Sequence, residues 1–204
     1  MKFCQPLGNF NQMAITVVSG LPRSGTSLIM QMLQAGGQDL LIDGRRTADP
    51  DNPKGYFEYE PVKRLKQDNS WLPRAEGKAV KIISSLLFYL PPSLTYKIIL
   101  MKRPLKEVLA SQAAMLARMN RQGSAVDDEK LLNLFAQQMD KAEYWLSQQP
   151  NLTVLPLWYH QVIQDPAGSA EMVANFLDLP LKVEAMVKTV DPNLYRQRRD
   201  KRGS

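Results

Sequence analysis

GLPRSGTS, Gly20 to Ser27, stands between two apolar runs, and its reading decides how the rest of the chain is understood. Ahead of it, Ala14, Ile15, Thr16, Val17 and Val18 are mostly β-branched, which predicts a short strand buried on both faces, as in parallel sheets. Behind it, from Thr26, the apolar residues Leu28, Ile29, Met32 and Leu33 recur at helical spacing until Gly36 and Gly37 supply a stop. Strand, glycine loop and helix in that order form a phosphate cradle. The glycines let backbone N–H groups turn inward, and the helix start presents unpaired donors with a partial positive charge. The spacing Gly20-x4-Gly25 is that of the nucleotide-binding P-loop, yet Thr26 stands where that loop has its lysine. A loop built for ATP uses the lysine on the β/γ-phosphates and its hydroxyl on magnesium. Here Arg23 is the loop's only cation, with Ser24, Thr26 and Ser27 as hydroxyl donors, a set that suits a 5'-phosphate bearing a group of low charge.

A second stretch, YKIILMKRPLKEVLAS, carries a separate anion motif. Ile98, Ile99, Leu100 and Met101 predict another buried strand, and Pro104 at the first helical position starts a helix. Arg103 is thereby set at the carboxyl end of a strand, where open α/β sheets bind ligands. Its planar fork takes a phosphate bidentately. Ser111, eight residues on, is about two helical turns away and can share that face.

PRSGTS resembles the 5'-phosphosulfate loop of the sulfotransferase family, P-[KR]-S-G-T-[ST], and Arg103 with Ser111 resembles that family's 3'-phosphate pair. The resemblance runs roughly from residue 14 to 180 and points to a short, bacterial-type member dependent on 3'-phosphoadenosine 5'-phosphosulfate. It implies a P-loop-like, three-layer α/β/α fold with a mainly parallel sheet, and donor binding by Arg23, Ser24, Gly25, Thr26, Ser27, Arg103 and Ser111. Lys81 falls on the family lysine that steadies the oxygen leaving sulfur, and Arg23 would share in stabilising that charge. The histidine base of the cytosolic branch falls on Ile83, which cannot accept a proton, so the base must come from elsewhere. Glu58, among Tyr56, Phe57 and Tyr59, is the candidate, with Glu60 second. Tyr159 resembles the family tyrosine near adenine, although its context is Tyr-His-Gln rather than Tyr-Glu-Asp. No metal is implied.

At 204 residues, 44% hydrophobic and 23% charged, the chain reads as one globular domain, 1–204, with flexible ends at 1–13 and 196–204. No apolar stretch reaches membrane-spanning length. Cys4 is the only cysteine, so no internal disulfide is possible, and a cytoplasmic location is expected. The net charge of +6 fits a polyanionic donor as well as nucleic acid, and nucleic acid is the less favoured partner. The tail YRQRRDKRGS either stays solvated or closes over the nucleotide, Lys201-Arg202-Gly203 being similar in composition to a late family loop.

Between the motifs, Asp43-Gly44, Asp49-Pro50, Asn52-Pro53 and Lys54-Gly55 predict a long loop over 38–56 that can wall an acceptor pocket. Further strands are expected at Ala79 to Ile83 and Asn151 to Trp158. Helices are expected from Val62 and Leu65, from Asp127 or Asp128 to Trp145 with Leu131, Leu134, Phe135 and Met139 in the core, and from Asp165-Pro166 to Leu179. A break is expected at Gln122-Gly123-Ser124. The acceptor would be a small molecule, carbohydrate or peptide offering a hydroxyl or amine; its identity and the oligomeric state are not legible. Two other readings stay open: a P-loop kinase of nucleotides or small molecules, and a non-catalytic binder of nucleotide or nucleic acid.

Overall fold

The computed structural model describes residues 13–45, 49, 55–118 and 127–195. The expected flexible ends, apart from Met13, lie outside the described residues, as do the break at Gln122 to Ser124 and the basic tail beyond Tyr195.

Four strands form one sheet: β1 (Ile15–Gly20), β2 (Ala79–Lys81), β3 (Tyr96–Lys102) and β4 (Leu152–Trp158), in the order β2-β1-β3-β4. Every pairing is parallel, with Val17 opposite both Val80 and Ile98, and Ile98 opposite Val154. Alternate residues feed opposite faces, as the two-residue period of a strand dictates. Ile15, Val17, Val80, Tyr96, Ile98 and Leu100 join one buried cluster; Val18, Ile99, Met101 and Leu157 join the other. Pro156 has no N–H to give a ladder, and it lies in β4, at the end of the strand order.

Helices cover both faces, giving three layers. One face holds α1 (Thr26–Gly36), α4 (Tyr159–Gln164), α5 (Pro166–Leu177) and α6 (Val183–Lys188); Ile29, Met30, Leu33, Val173 and Met186 are fully buried there. The other face takes α2 (Leu105–Arg118) and α3 (Asp128–Ser147) through Val108, Met139 and Leu146, with Trp71 and Leu72 from a 3-10 turn. Tyr96 crosses this core; its hydroxyl donates to the Pro91 carbonyl at 3.1 Å, and burial pushes its pKa well above the usual phenol value.

Several local expectations shift. β2 stops at Lys81 because a 3-10 helix, Ser84–Tyr89, starts just beyond Ile83. The helix expected at Val62 is a 3-10 turn, Glu60–Arg64, capped by Asp43, whose carboxylate accepts the Glu60 N–H at 2.6 Å. Pro104 precedes α2 rather than opening it, its carbonyl accepting from the Glu107 and Val108 amides. Leu134, expected in the core, is 55% exposed, because it lies to the side of the stripe of α3, Phe135, Met139 and Leu146, that packs on the core. No described helix is long and apolar enough to cross a membrane.

Parallel pairing turns the carboxyl ends of β1, β2 and β3 to one edge of the sheet. The glycine loop, Lys81 and Arg103 therefore meet there.

Candidate active site

The glycine loop is held in a shape that side chains resist. Gly20 has φ 145, and a Cβ there would stand 2.6 Å from the Met101 carbonyl. Gly25, with φ 103, caps α1, and a Cβ there would meet the Tyr159 ring at 2.4 Å. Between them Arg23 is left-handed at φ 71 with no glycine's freedom, a conformation that costs about 1–2 kcal/mol. Among the described residues no side chain caps α1, and its first turn holds no acidic residue. The amides opening an eleven-residue helix thus face the cleft beside Thr26 and Ser27.

Arg23 ties this loop to the second motif. Its Nε donates to Ser111 Oγ at 3.0 Å, while its carbonyl accepts from Arg103 Nη1 at 3.1 Å. Arg103 Nε donates to Glu107 Oε2 at 3.0 Å, and both side chains are 7% exposed. The guanidinium lies 4.6 Å from the Tyr159 ring centre and 5.2 Å from that of Tyr195, within cation–π reach of both. Tyr195 packs edge-on against Tyr159, and its hydroxyl sits 2.9 and 2.8 Å from the two Glu107 oxygens. Burial, and then the hydrogen bond to Glu107, push the Tyr195 phenol up to about 12.

At the opposite side of the cleft, Lys81 Nζ lies 3.7 Å from Glu58 Oε1 and donates to the Tyr56 carbonyl. Glu58 is positioned through its backbone: the Asp43 N–H donates to the Glu58 carbonyl at 3.2 Å, and the Asp43 carboxylate grips the Glu60 amide. Burial opposes ionisation of Asp43. The Glu60 and Arg45 amides and the Arg45 and Lys63 cations outweigh it and hold the carboxyl below its ordinary value.

These groups share one cleft of about 340 Å³. Arg23, Gly25, Thr26, Ser27, Glu58, Lys81, Arg103, Ser111 and Tyr159 all line it. Ser24 does not. Its side chain is 1% exposed and packs on the far side of the loop toward Leu21 and Met101, and its amide already donates to the Leu21 carbonyl. Its Oγ has no hydrogen-bond partner among the described residues. The physical reason is Gly20, whose missing Cβ leaves the space that Ser24 Oγ fills. Ile83 lines the cleft; His160 stands outside it, beside Trp158.

A sequence model of the sulfotransferase domain matches residues 15–201. The chain belongs to the sulfotransferase family. Among solved structures, this sulfotransferase-family chain resembles the sulfotransferase domain from the Synechococcus PCC 7002 olefin synthase, with TM-score 0.55, 13% identity, and 92% of this chain and 90% of that chain covered. It also resembles the sulfotransferase domain from the curacin biosynthetic pathway, with TM-score 0.50, 11% identity and coverage of 88% and 78%. At such identities the likeness shows the fold alone. No curated protein matches the sequence.

Glu107, Tyr195 and Asp43 were not singled out from sequence. Glu107 had a signal, since Arg103 and Glu107 are four residues apart on a helix start, the spacing of an ion pair. In the sequence Asp43 is a turn residue, and Tyr195 is the first residue of a basic tail. Nothing local links them to sites 15 and 88 residues away in sequence.

Proposed function

We propose that this sulfotransferase-family chain moves a sulfuryl group from 3'-phosphoadenosine 5'-phosphosulfate to a hydroxyl or amine of a small-molecule, carbohydrate or peptide acceptor, with no metal, as a single cytoplasmic domain. The observation that carries the reading is the junction at Arg23: one residue bonds Ser111 with its side chain and Arg103 with its carbonyl, so the two anion motifs form one continuous surface. A nucleotide phosphorylated at both ends of its ribose has the chemistry to occupy both. The residues fit such a ligand: helix-start amides without a side-chain cap at one end, and a buried, oriented arginine at the other.

In the proposed reaction the Thr26 and Ser27 amides and hydroxyls hold the 5' end, and Arg103 and Ser111 hold the 3'-phosphate. The acceptor oxygen or nitrogen forms a bond to sulfur as the bond from sulfur to the 5'-phosphate oxygen breaks, releasing adenosine 3',5'-bisphosphate. Lys81, with Arg23, stabilises negative charge on that leaving oxygen and on the sulfuryl oxygens. Glu58 takes the acceptor's proton. The Lys81–Glu58 ion pair sets proton-accepting and charge-stabilising groups side by side, and positioning of this kind supplies much of the rate.

A thermal-shift panel on the full chain tests the reading. Stabilisation by adenosine 3',5'-bisphosphate without magnesium is expected, about 2.7 kcal/mol at a ligand concentration one hundred times Kd. Stabilisation by Mg-ATP alone would replace this reading with a kinase.

A further inference from the structure

We propose that Glu107 and Tyr195 are positioning residues that fix the Arg103 guanidinium to receive the donor's 3'-phosphate; the proposal rests on the nucleotide reading above. An arginine at a strand end has many rotamers, and ordering it on binding costs conformational entropy. Here that ordering is built in beforehand. Glu107, one helical turn on, accepts from Nε; the Arg23 carbonyl accepts from Nη1; the rings of Tyr159 and Tyr195 flank the cation. Together these contacts set both the position and the plane of the guanidinium.

The carboxylate is the informative member. A buried negative charge next to an anion site repels a phosphate, so Glu107 weakens binding unless its orienting effect is larger. Its partners favour the second outcome. Tyr195 lies at the end of the last 3-10 turn, Pro192–Leu194, and its hydroxyl bridges both Glu107 oxygens. With the phenol pKa raised to about 12, that hydroxyl remains a donor throughout the neutral range. The same bond ties the turn that carries Asp191 and Leu194, which line the cleft, to Glu107.

The test is calorimetric titration of the wild-type chain, Glu107→Gln and Tyr195→Phe with two ligands, adenosine 3',5'-bisphosphate and adenosine 5'-phosphate. The ratio of the two affinities reports what the 3'-phosphate contributes. In the wild type the ratio is expected to be about a hundredfold, in keeping with a charge-assisted pair. Glu107→Gln should lower it about tenfold and Tyr195→Phe about threefold, while affinity for the 5'-phosphate stays within about twofold. A merely structural role would lower both affinities together and leave the ratio alone, which overturns the proposal. So does tighter bisphosphate binding by Glu107→Gln, the result that relief of repulsion alone would give. A wild-type ratio near one refutes the nucleotide reading itself, whereas a high wild-type ratio preserved in both variants refutes only the positioning role. Should Glu107→Gln fail to fold, Tyr195→Phe, which keeps the ring, decides the matter.

Discussion

Replacing Gly25 by alanine probes the point where the glycine loop, Tyr159 and Arg103 are locked together. Two penalties follow from the structure. At φ 103 a Cβ is strained whatever the surroundings, by about 1–2 kcal/mol. The added Cβ would also stand 2.4 Å from Tyr159 Cδ2, about 1 Å inside ordinary contact. The ring has little room to retreat, being 7% exposed with Arg103 over its face and Tyr195 packed perpendicular to it. Overpacking of this kind costs about 1–3 kcal/mol more. Gly37→Ala separates the terms, because Gly37 has φ 97 with nothing within 4 Å of its would-be Cβ. Urea unfolding should show Gly37→Ala destabilised by the backbone penalty alone and Gly25→Ala by about 1–3 kcal/mol beyond it. Gly25→Ala should also lose at least about tenfold in affinity for adenosine 3',5'-bisphosphate, since the ring it displaces buttresses Arg103. Equal destabilisation of the two variants, with unchanged affinity, would refute the claim that Gly25 is glycine because of Tyr159.

Three further outcomes are expected. Glu58→Gln should bind the bisphosphate as the wild type does and lose at least about a hundredfold in turnover, measured with labelled donor; full activity removes Glu58 as the base. Asp43→Ala should cost about 1–2 kcal/mol in chemical unfolding, as loss of a cap at Glu60 does, and lower kcat more than donor affinity because it releases the backbone around Glu58. For Tyr195 the folded pKa is raised, so its contribution to stability is complete below the ordinary phenol value near 10 and is lost as pH climbs through about 12. Alkaline ultraviolet titration should accordingly show that the phenol lost in Tyr195→Phe is a late-titrating one; loss of a phenol that titrates near the ordinary value would contradict the Tyr195–Glu107 bond.

The parallel sheet was legible because apolar, largely β-branched runs such as Ile15 to Val18 and Ile98 to Leu100 report burial on both faces, and because Gly25 and Pro104 punctuate the chain where strands give way to helices. The two candidate anion motifs could be picked out because each is local: a loop read in eight residues, and an arginine at a strand end with a serine on the helix that follows. Ser24 shows the limit of that locality. Its residue type promised a ligand donor, but the direction of its side chain depends on the space beside Gly20 and Met101, which no spacing rule encodes. The same holds for Leu134, whose helix forms as expected while the core contacts fall to the neighbouring stripe of Phe135, Met139 and Leu146. Glu107 and Tyr195 meet across 88 residues, so their bond belongs to tertiary structure alone.

The central claim, that one doubly phosphorylated adenosine spans the cleft, is tested most directly by a crystal structure of the chain with adenosine 3',5'-bisphosphate. The account predicts the 5'-phosphate within about 3 Å of the Thr26 and Ser27 amides and the 3'-phosphate at the same distance from Arg103 and Ser111. A nucleotide bound elsewhere, or with only one of its phosphates at either motif, would contradict it.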